Sequence, residues 1–151
     1  MTLSAAKIKT IAAPKTVTLL KDLSTQIASK DQMHALIKHG MPIRIADNLK
    51  SLLSLGDSGL AEILGITSKT LQRKRKARTT LTPVESDRLY RVQVIFALAI
   101  KVLGTSQDAK EWLSTPQIDL GDRVPLDLLT TSAGASLVEE VLNRMEYGIL
   151  A

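Results

Sequence analysis

The chain has 151 residues, of which 44% are hydrophobic and none is cysteine, so it can build one domain or two small ones but no disulfide and no thiolate metal site. Two small modules are expected, because the net charge of +5 is unevenly spread. Residues 1–80 carry 14 Lys and Arg against 5 Asp and Glu, a balance of +9, whereas residues 81–151 carry 6 against 10, a balance of −4.

Residues 1–30 are rich in Ser, Thr, Ala and Lys with weak periodicity, and they read as a loosely ordered arm. No continuous apolar segment with a cleavage site occurs there, so no secretory signal is expected and the cytoplasm is the expected location. From Asp31 the pattern becomes helical: Asp31 caps a segment bearing Met33, Leu36 and Ile37, and Gly40 closes it. Pro42 suits a first helical position. After it Ile43, Ala46, Leu49, Leu52 and Leu53 recur at three and four, an amphipathic helix ending near Gly56. His34 and His39 are the only histidines. Their spacing of five keeps them off one helical face, so no metal site is expected.

Residues 60–76, LAEILGITSKTLQRKRK, form the most informative stretch. A short apolar helix starting at Asp57 or Ser58 is broken at Gly65, which can end it in the left-handed conformation. Thr67 or Ser68 caps a second helix running from Ser68 to about Ala77. Leu60, Ala61, Leu64, Ile66 and Leu71 would pack the two helices together. That is a helix-turn-helix, with the polar side chains of its second helix left to enter a major groove. Lys69, Thr70 and Gln72 are expected near base edges, and Arg73, Arg75 and Lys76 near phosphates, with Arg73 also able to reach a guanine. Thr67 and Ser68 complete the candidate DNA-binding set. A merely solvated basic helix end would explain the lysines and arginines but not the Gly65-Ile66-Thr67 turn. The positive half of the chain is drawn to the phosphate backbone with counterion release, and the acidic half is free to bind protein.

Thr82, Pro83 and Glu85 form a capping-box start for a long helix through Leu89, Val92, Phe96, Ala99, Ile100 and Leu103, ended by Gly104. Its apolar residues extend nearly all round, so it is either central to the fold or covered by a second subunit, and a homodimer is favoured. Residues 92–103, interrupted by Gln93 and Lys101, fall far short of the ~20 that span a bilayer, so no membrane partner is expected. Ser106 caps a short helix with Ala109, Trp112 and Leu113, stopped by Pro116; a helical turn follows at Leu126 to Leu129. Thr131 or Ser132 opens the last helix, with Leu137, Val138, Val141, Leu142 and Met145 inward. A lone Trp at helical spacing is more often core than interface, so Trp112 is read as core. Arg88, Arg91, Arg123 and Arg144 divide evenly between surface and interface. No stretch alternates with period two for long enough to suggest a sheet.

Enzyme motifs fail. The Gly56 to Gly59 segment has its second glycine one residue too early for a nucleophile elbow, and Gly59 to Gly65 lacks the Lys and Ser or Thr of a phosphate loop. No catalytic residue, cofactor or small-molecule substrate is expected.

Ala109 with Trp112, Leu113 and Pro116; Leu120 with Gly121; Pro125 with Leu128, Leu129 and Thr130; then Gly134, Val138, Leu142 and Tyr147-Gly148 together resemble the toxin-binding domain of the Xre, MbcA and ParS antitoxins. Leu64-Gly65-Ile66 and Thr70-Leu71 before Arg73 resemble the Xre-like module of the same family, and the likeness covers roughly residues 40–150. It implies an all-α chain: an N-terminal Xre-like helix-turn-helix module followed by a small helical toxin-binding domain. The expected division is an arm at 1–30, a DNA-binding module at 31–81 and a dimerisation and toxin-binding domain at 82–151. The partners implied are an NAD-degrading toxin of the RES type, obstructed by the antitoxin's C-terminal region, and operator DNA. Arg144, Tyr147, Gly148, Ile149, Leu150 and Ala151 are the candidate toxin-binding residues, since a short, mostly apolar tail can enter a concave site at modest ordering cost. The alternative is a stand-alone dimeric repressor without a toxin.

Overall fold

The computed structural model describes residues 30–148. The expected arm, apart from Lys30, lies outside the described residues, as do Ile149, Leu150 and Ala151. Regular structure among the described residues is helical, with two isolated bridges and no strand, so the protein is all-α. Two compact units part between Tyr90 and Arg91. The division falls within a helix rather than at the Leu81–Thr82 joint where the capping box begins.

The first unit holds α1 (Lys30–His39), α2 (Ile43–Leu52), α3 (Asp57–Leu64), α4 (Ser68–Ala77) and the start of α5 (Pro83–Leu103). Helix α1 begins at Lys30, with Asp31 inside its first turn rather than capping it. Pro42 is the N-cap of α2, its backbone extended at φ −58°, ψ 139°, and the first helical residue is Ile43. Helix α2 stops at Leu52, short of Gly56, because Ser54 turns left-handed at φ 53° and the Leu55 N–H reaches back to the Lys50 carbonyl. Helices α2, α3 and α4 touch one another pairwise. Ala46, Leu49, Leu53, Leu60, Leu64 and Leu71 are almost fully buried in this unit. Such a core is what the three-and-four spacing encodes.

The segment after α4 returns along the α1–α2 joint: Thr80 bridges Pro42, and the Leu81 N–H donates to the Met41 carbonyl at 2.8 Å. The α5 capping box forms as expected. The Glu85 N–H donates to Thr82 Oγ1 at 3.2 Å, and the Thr82 N–H donates to Glu85 Oε2 at 2.9 Å.

The second unit comprises the rest of α5, α6 (Ser106–Ser114), a 3-10 turn (Ile118–Leu120), α7 (Pro125–Leu128) and α8 (Ser132–Glu146). Thr105 rather than Ser106 caps α6, accepting from the Asp108 N–H at 3.0 Å. Thr131 caps α8, accepting from the Gly134 N–H at 3.0 Å. Helix α7 packs on both α6 and α8, and α8 also packs on the 3-10 turn. The inner face of α8 is narrower than expected: Ala135, Val138, Val141 and Leu142 are buried, but Leu137 is 41% exposed. One residue is about 100° of helix rotation, and Leu137 lies that far from Val138 on the side away from Ala135 and Leu142, beyond the edge of the buried stripe. Among the described residues no single helix is long and apolar enough to cross a membrane.

Candidate nucleic-acid interface and partner surface

Helix α4 is held by a turn that behaves as its sequence requires. Gly65 sits at φ 70°, its N–H on the Glu62 carbonyl, and the Ile66 N–H returns to the Ala61 carbonyl. Thr67 is the cap: its Oγ1 accepts from the Thr70 N–H at 3.1 Å and donates to Thr70 Oγ1 at 2.9 Å. Leu71 is fully buried and fixes the inner face of α4. The opposite face presents Lys69, Gln72, Arg73 and Lys76, all exposed and spaced three and four apart. Ser68 is exposed at the first turn. The turn thus brings together at one surface Lys69 and Gln72, expected near bases, and Arg73 and Lys76, expected near phosphates, while Thr70 is half-buried beside them with its hydroxyl bonded to Thr67.

Arg75 departs from the expected set. Its Nε and Nη2 donate to Asp47 Oδ1 at 2.8 and 2.6 Å, and its Nη1 lies 2.9 Å from Asp57 Oδ1. It is a partly exposed strut that ties α4 to α2 and α3. Asp57 also meets Lys50 Nζ at 2.6 Å and accepts from Gln72 Nε2 at 2.7 Å. Lys50, then Arg75, hold the Asp57 carboxyl at about 2, well below an ordinary 3.8. Hydrogen bonding to Asp47 first, and to Asp57 next, raises the already high pKa of Arg75. Lys74 turns inward as well, pairing with Glu85 at 3.2 Å. The charge pattern alone could not separate inward from outward cations, because their acidic partners come from other helices.

On the second unit, α8 ends at Glu146 and Tyr147 is its C-cap, 72% exposed with its N–H on the Asn143 carbonyl. Gly148 follows at φ 66°. Arg144 and Tyr147 lie on an outer stripe of α8 with Ser136, Glu139, Glu140 and Asn143. Lys101 Nζ reaches Glu146 Oε1 at 2.5 Å and ties the end of α8 to α5; that contact raises the Lys101 pKa. Of the arginines left open between surface and interface, Arg88 donates to the Leu64 carbonyl at 3.0 Å and Arg123 to the Leu120 carbonyl at 2.7 Å. Arg144 is exposed. Trp112 is half-buried, and its carbonyl accepts from Gln117 Nε2 at 2.8 Å.

Ile118 belongs to no sequence motif. It is 86% exposed on a 3-10 turn that the Gln117–Arg123 bridge pins at its base. The available signal was an isoleucine between Gln117 and Asp119, with no apolar neighbour at helical spacing before Gly121. Among the described residues no group of His, Asp and Glu is placed to hold a metal ion.

The geometry of the two units agrees with comparison to known proteins. Residues 32–94 match the antitoxin Xre-like helix-turn-helix domain, and residues 98–148 match the antitoxin Xre/MbcA/ParS C-terminal toxin-binding domain. Antitoxin Xre of Yersinia enterocolitica serotype O:8 / biotype 1B is 29% identical over 140 residues, covering 92% of this chain and 95% of that protein. Antitoxin Xre of Photorhabdus laumondii subsp. laumondii is 26% identical over 125 residues, 82% of this chain and 84% of that protein. Antitoxin Xre of Pseudomonas putida is 39% identical over 83 residues, 55% of this chain and 52% of that protein. With a helix-turn-helix matched in the first unit and a toxin-binding domain in the second, this chain belongs to the Xre/MbcA/ParS-type antitoxins.

Proposed function

We propose that this antitoxin neutralises an NAD-degrading toxin of the RES type and represses its own operon. The observation that carries the reading is that each unit presents a surface of its own. Lys69, Gln72, Arg73 and Lys76 face outward on α4 of the first unit, while Arg144 and Tyr147 stand exposed at the end of α8 of the second. One chain thereby offers a cationic helix to DNA and an apolar-tipped helix end to a protein pocket.

In this reading Lys69, Thr70 and Gln72 approach base edges, Arg73 and Lys76 hold phosphates, and Thr67 and Ser68 set the N-terminus of α4 near the backbone. Arg144 and the residues from Tyr147 onward enter the toxin's active site and exclude its dinucleotide. A homodimer fits the half-site geometry of helix-turn-helix proteins. Supporting it, Val94 is 40% exposed, and Leu98 and Val102, at four-residue spacing from it on α5, are only half-buried. Ile118 is a further contact candidate, since an exposed apolar side chain on a turn whose backbone is already pinned adds little backbone ordering cost on docking.

The test is co-expression with the product of the neighbouring gene, purification through a tag on that partner, and assay of NAD loss. Co-purification with suppressed NAD degradation is the expected result, and deletion of residues 147–151 should restore the degradation while leaving the protein folded. Absence of a complex, with retained binding to upstream DNA, would leave a stand-alone repressor.

A further inference from the structure

We infer that Asp57 governs how selectively α4 reads DNA, by holding Lys50 and Arg75 back from phosphates and fixing the amide of Gln72. The inference rests on the DNA-binding role of α4 proposed above and assigns to it a specificity-determining residue outside the contacting set.

Asp57 is the first residue of α3, and it gathers three groups from two other helices. Its Oδ1 meets Lys50 Nζ at 2.6 Å and Arg75 Nη1 at 2.9 Å, and its Oδ2 accepts from Gln72 Nε2 at 2.7 Å. Asp47 takes the other edge of the same guanidinium. A carboxylate beside a groove-reading helix repels phosphate, so it is a poor choice for affinity alone. The side chains of Lys50, Arg75 and Asp57 remain 29%, 21% and 35% exposed, so all three stand at the module surface where a phosphate could reach them. Carboxylate and phosphate present the same oxygen geometry to a guanidinium and compete for it. The carboxylates are intramolecular and always present, so they win against indiscriminate duplex. Only Lys69, Arg73 and Lys76 are then left on the outer face of α4, and the Gln72 amide is presented in one orientation.

The experiment compares binding of the full-length protein to DNA from upstream of its own coding frame and to a shuffled duplex, from about 50 to 200 mM salt. Each phosphate neutralised contributes about −0.9 to the slope of log K against log salt. Asp57→Asn should tighten binding to the shuffled duplex, steepen the slope by about one to two, and reduce the ratio of upstream to shuffled affinity by at least about tenfold. Glu62→Gln removes an exposed acid from the same helix and should leave both quantities near native, which separates the clamp from net charge. Arg75→Gln should leave the native slope unchanged, whereas Lys76→Gln should make it shallower by about one. This second pair decides the matter even where Asp57→Asn does not fold. An unchanged slope in Asp57→Asn, the same gain in Glu62→Gln, or a loss in Arg75→Gln equal to that in Lys76→Gln overturns the inference. Binding of neither duplex by the native protein overturns the DNA-binding reading and the clamp with it.

Discussion

Arg88 lies against Gly65, and its Nη1 donates to the Leu64 carbonyl at 3.0 Å, so a side chain of α5 occupies the space a β-carbon would take at the residue that ends α3. A β-carbon at Gly65 would run into that guanidinium. Gly65→Ala therefore incurs the left-handed penalty of about 1–2 kcal/mol and displaces a charged donor from a carbonyl. We expect a total loss of about 2–3 kcal/mol by urea denaturation. In an Arg88→Ala background the same change should cost only the left-handed part, because the flexible group in its way is gone. Equal costs in the two backgrounds would falsify the contact.

Gly134 presents the opposite case. Its missing β-carbon would meet the Leu128 carbonyl oxygen, and backbone cannot swing aside as a guanidinium can. Gly134→Ala should push α7 off α8 and lower the stability of the second unit by about 2–3 kcal/mol, the range of overpacking in a tight core. Toxin capture should weaken with it. Upstream DNA binding by the first unit, followed by fluorescence anisotropy, should change little; a parallel loss of both activities would mean that the damage is not confined to the α7–α8 contact.

These two glycines also mark what could be read from sequence. Gly65 is legible because its role is local: an apolar helix before it, a capping threonine after it and a conformation that glycine adopts at low cost. The capping box at Thr82 and Glu85 and the helical periods are legible for the same reason. Gly134 was visible only as part of a family pattern, since what it touches lies across a helix crossing. Arg75 reads as a phosphate contact because its neighbours in sequence are basic, while the carboxylates it pairs with in the fold, Asp47 and Asp57, are 28 and 18 positions away. Leu137 reads as inward because it adjoins Val138 and stands four residues before Val141, yet it falls outside the buried stripe. Local grammar was recoverable, and long-range pairing was not.

Ser86 is fully buried, and its Oγ accepts from the Met41 N–H at 2.8 Å across 45 residues of sequence. The bond closes the joint between α1 and α2 against α5. Ser86→Ala keeps the volume nearly unchanged but leaves a buried backbone N–H without its acceptor, a loss of about 1–3 kcal/mol. Ser86→Cys, a weaker acceptor, should fall between native and alanine. A thermal melt of the alanine variant indistinguishable from native would show that Met41 finds another acceptor.

The Asp57 cluster makes stability depend on acid in a defined window. Lys50 and Arg75 hold its carboxyl at about 2, against an ordinary 3.8 when unfolded. With the folded value depressed, the unfolded chain takes up the proton first, so stability from this group is fully present above about pH 4 and drains away as pH falls toward about 2. Between about pH 8 and 5 Asp57 should contribute no slope. Urea denaturation at about pH 6, 4 and 2.5, native beside Asp57→Asn, isolates the effect: the native protein should lose its advantage over the variant only below about pH 4. A constant gap between the two across that range would mean that the carboxylate is not held by its cations in solution. Because the cluster is partly exposed, about 1 M salt should shrink the gap as well, by screening that acts on Lys50 and Arg75 alike.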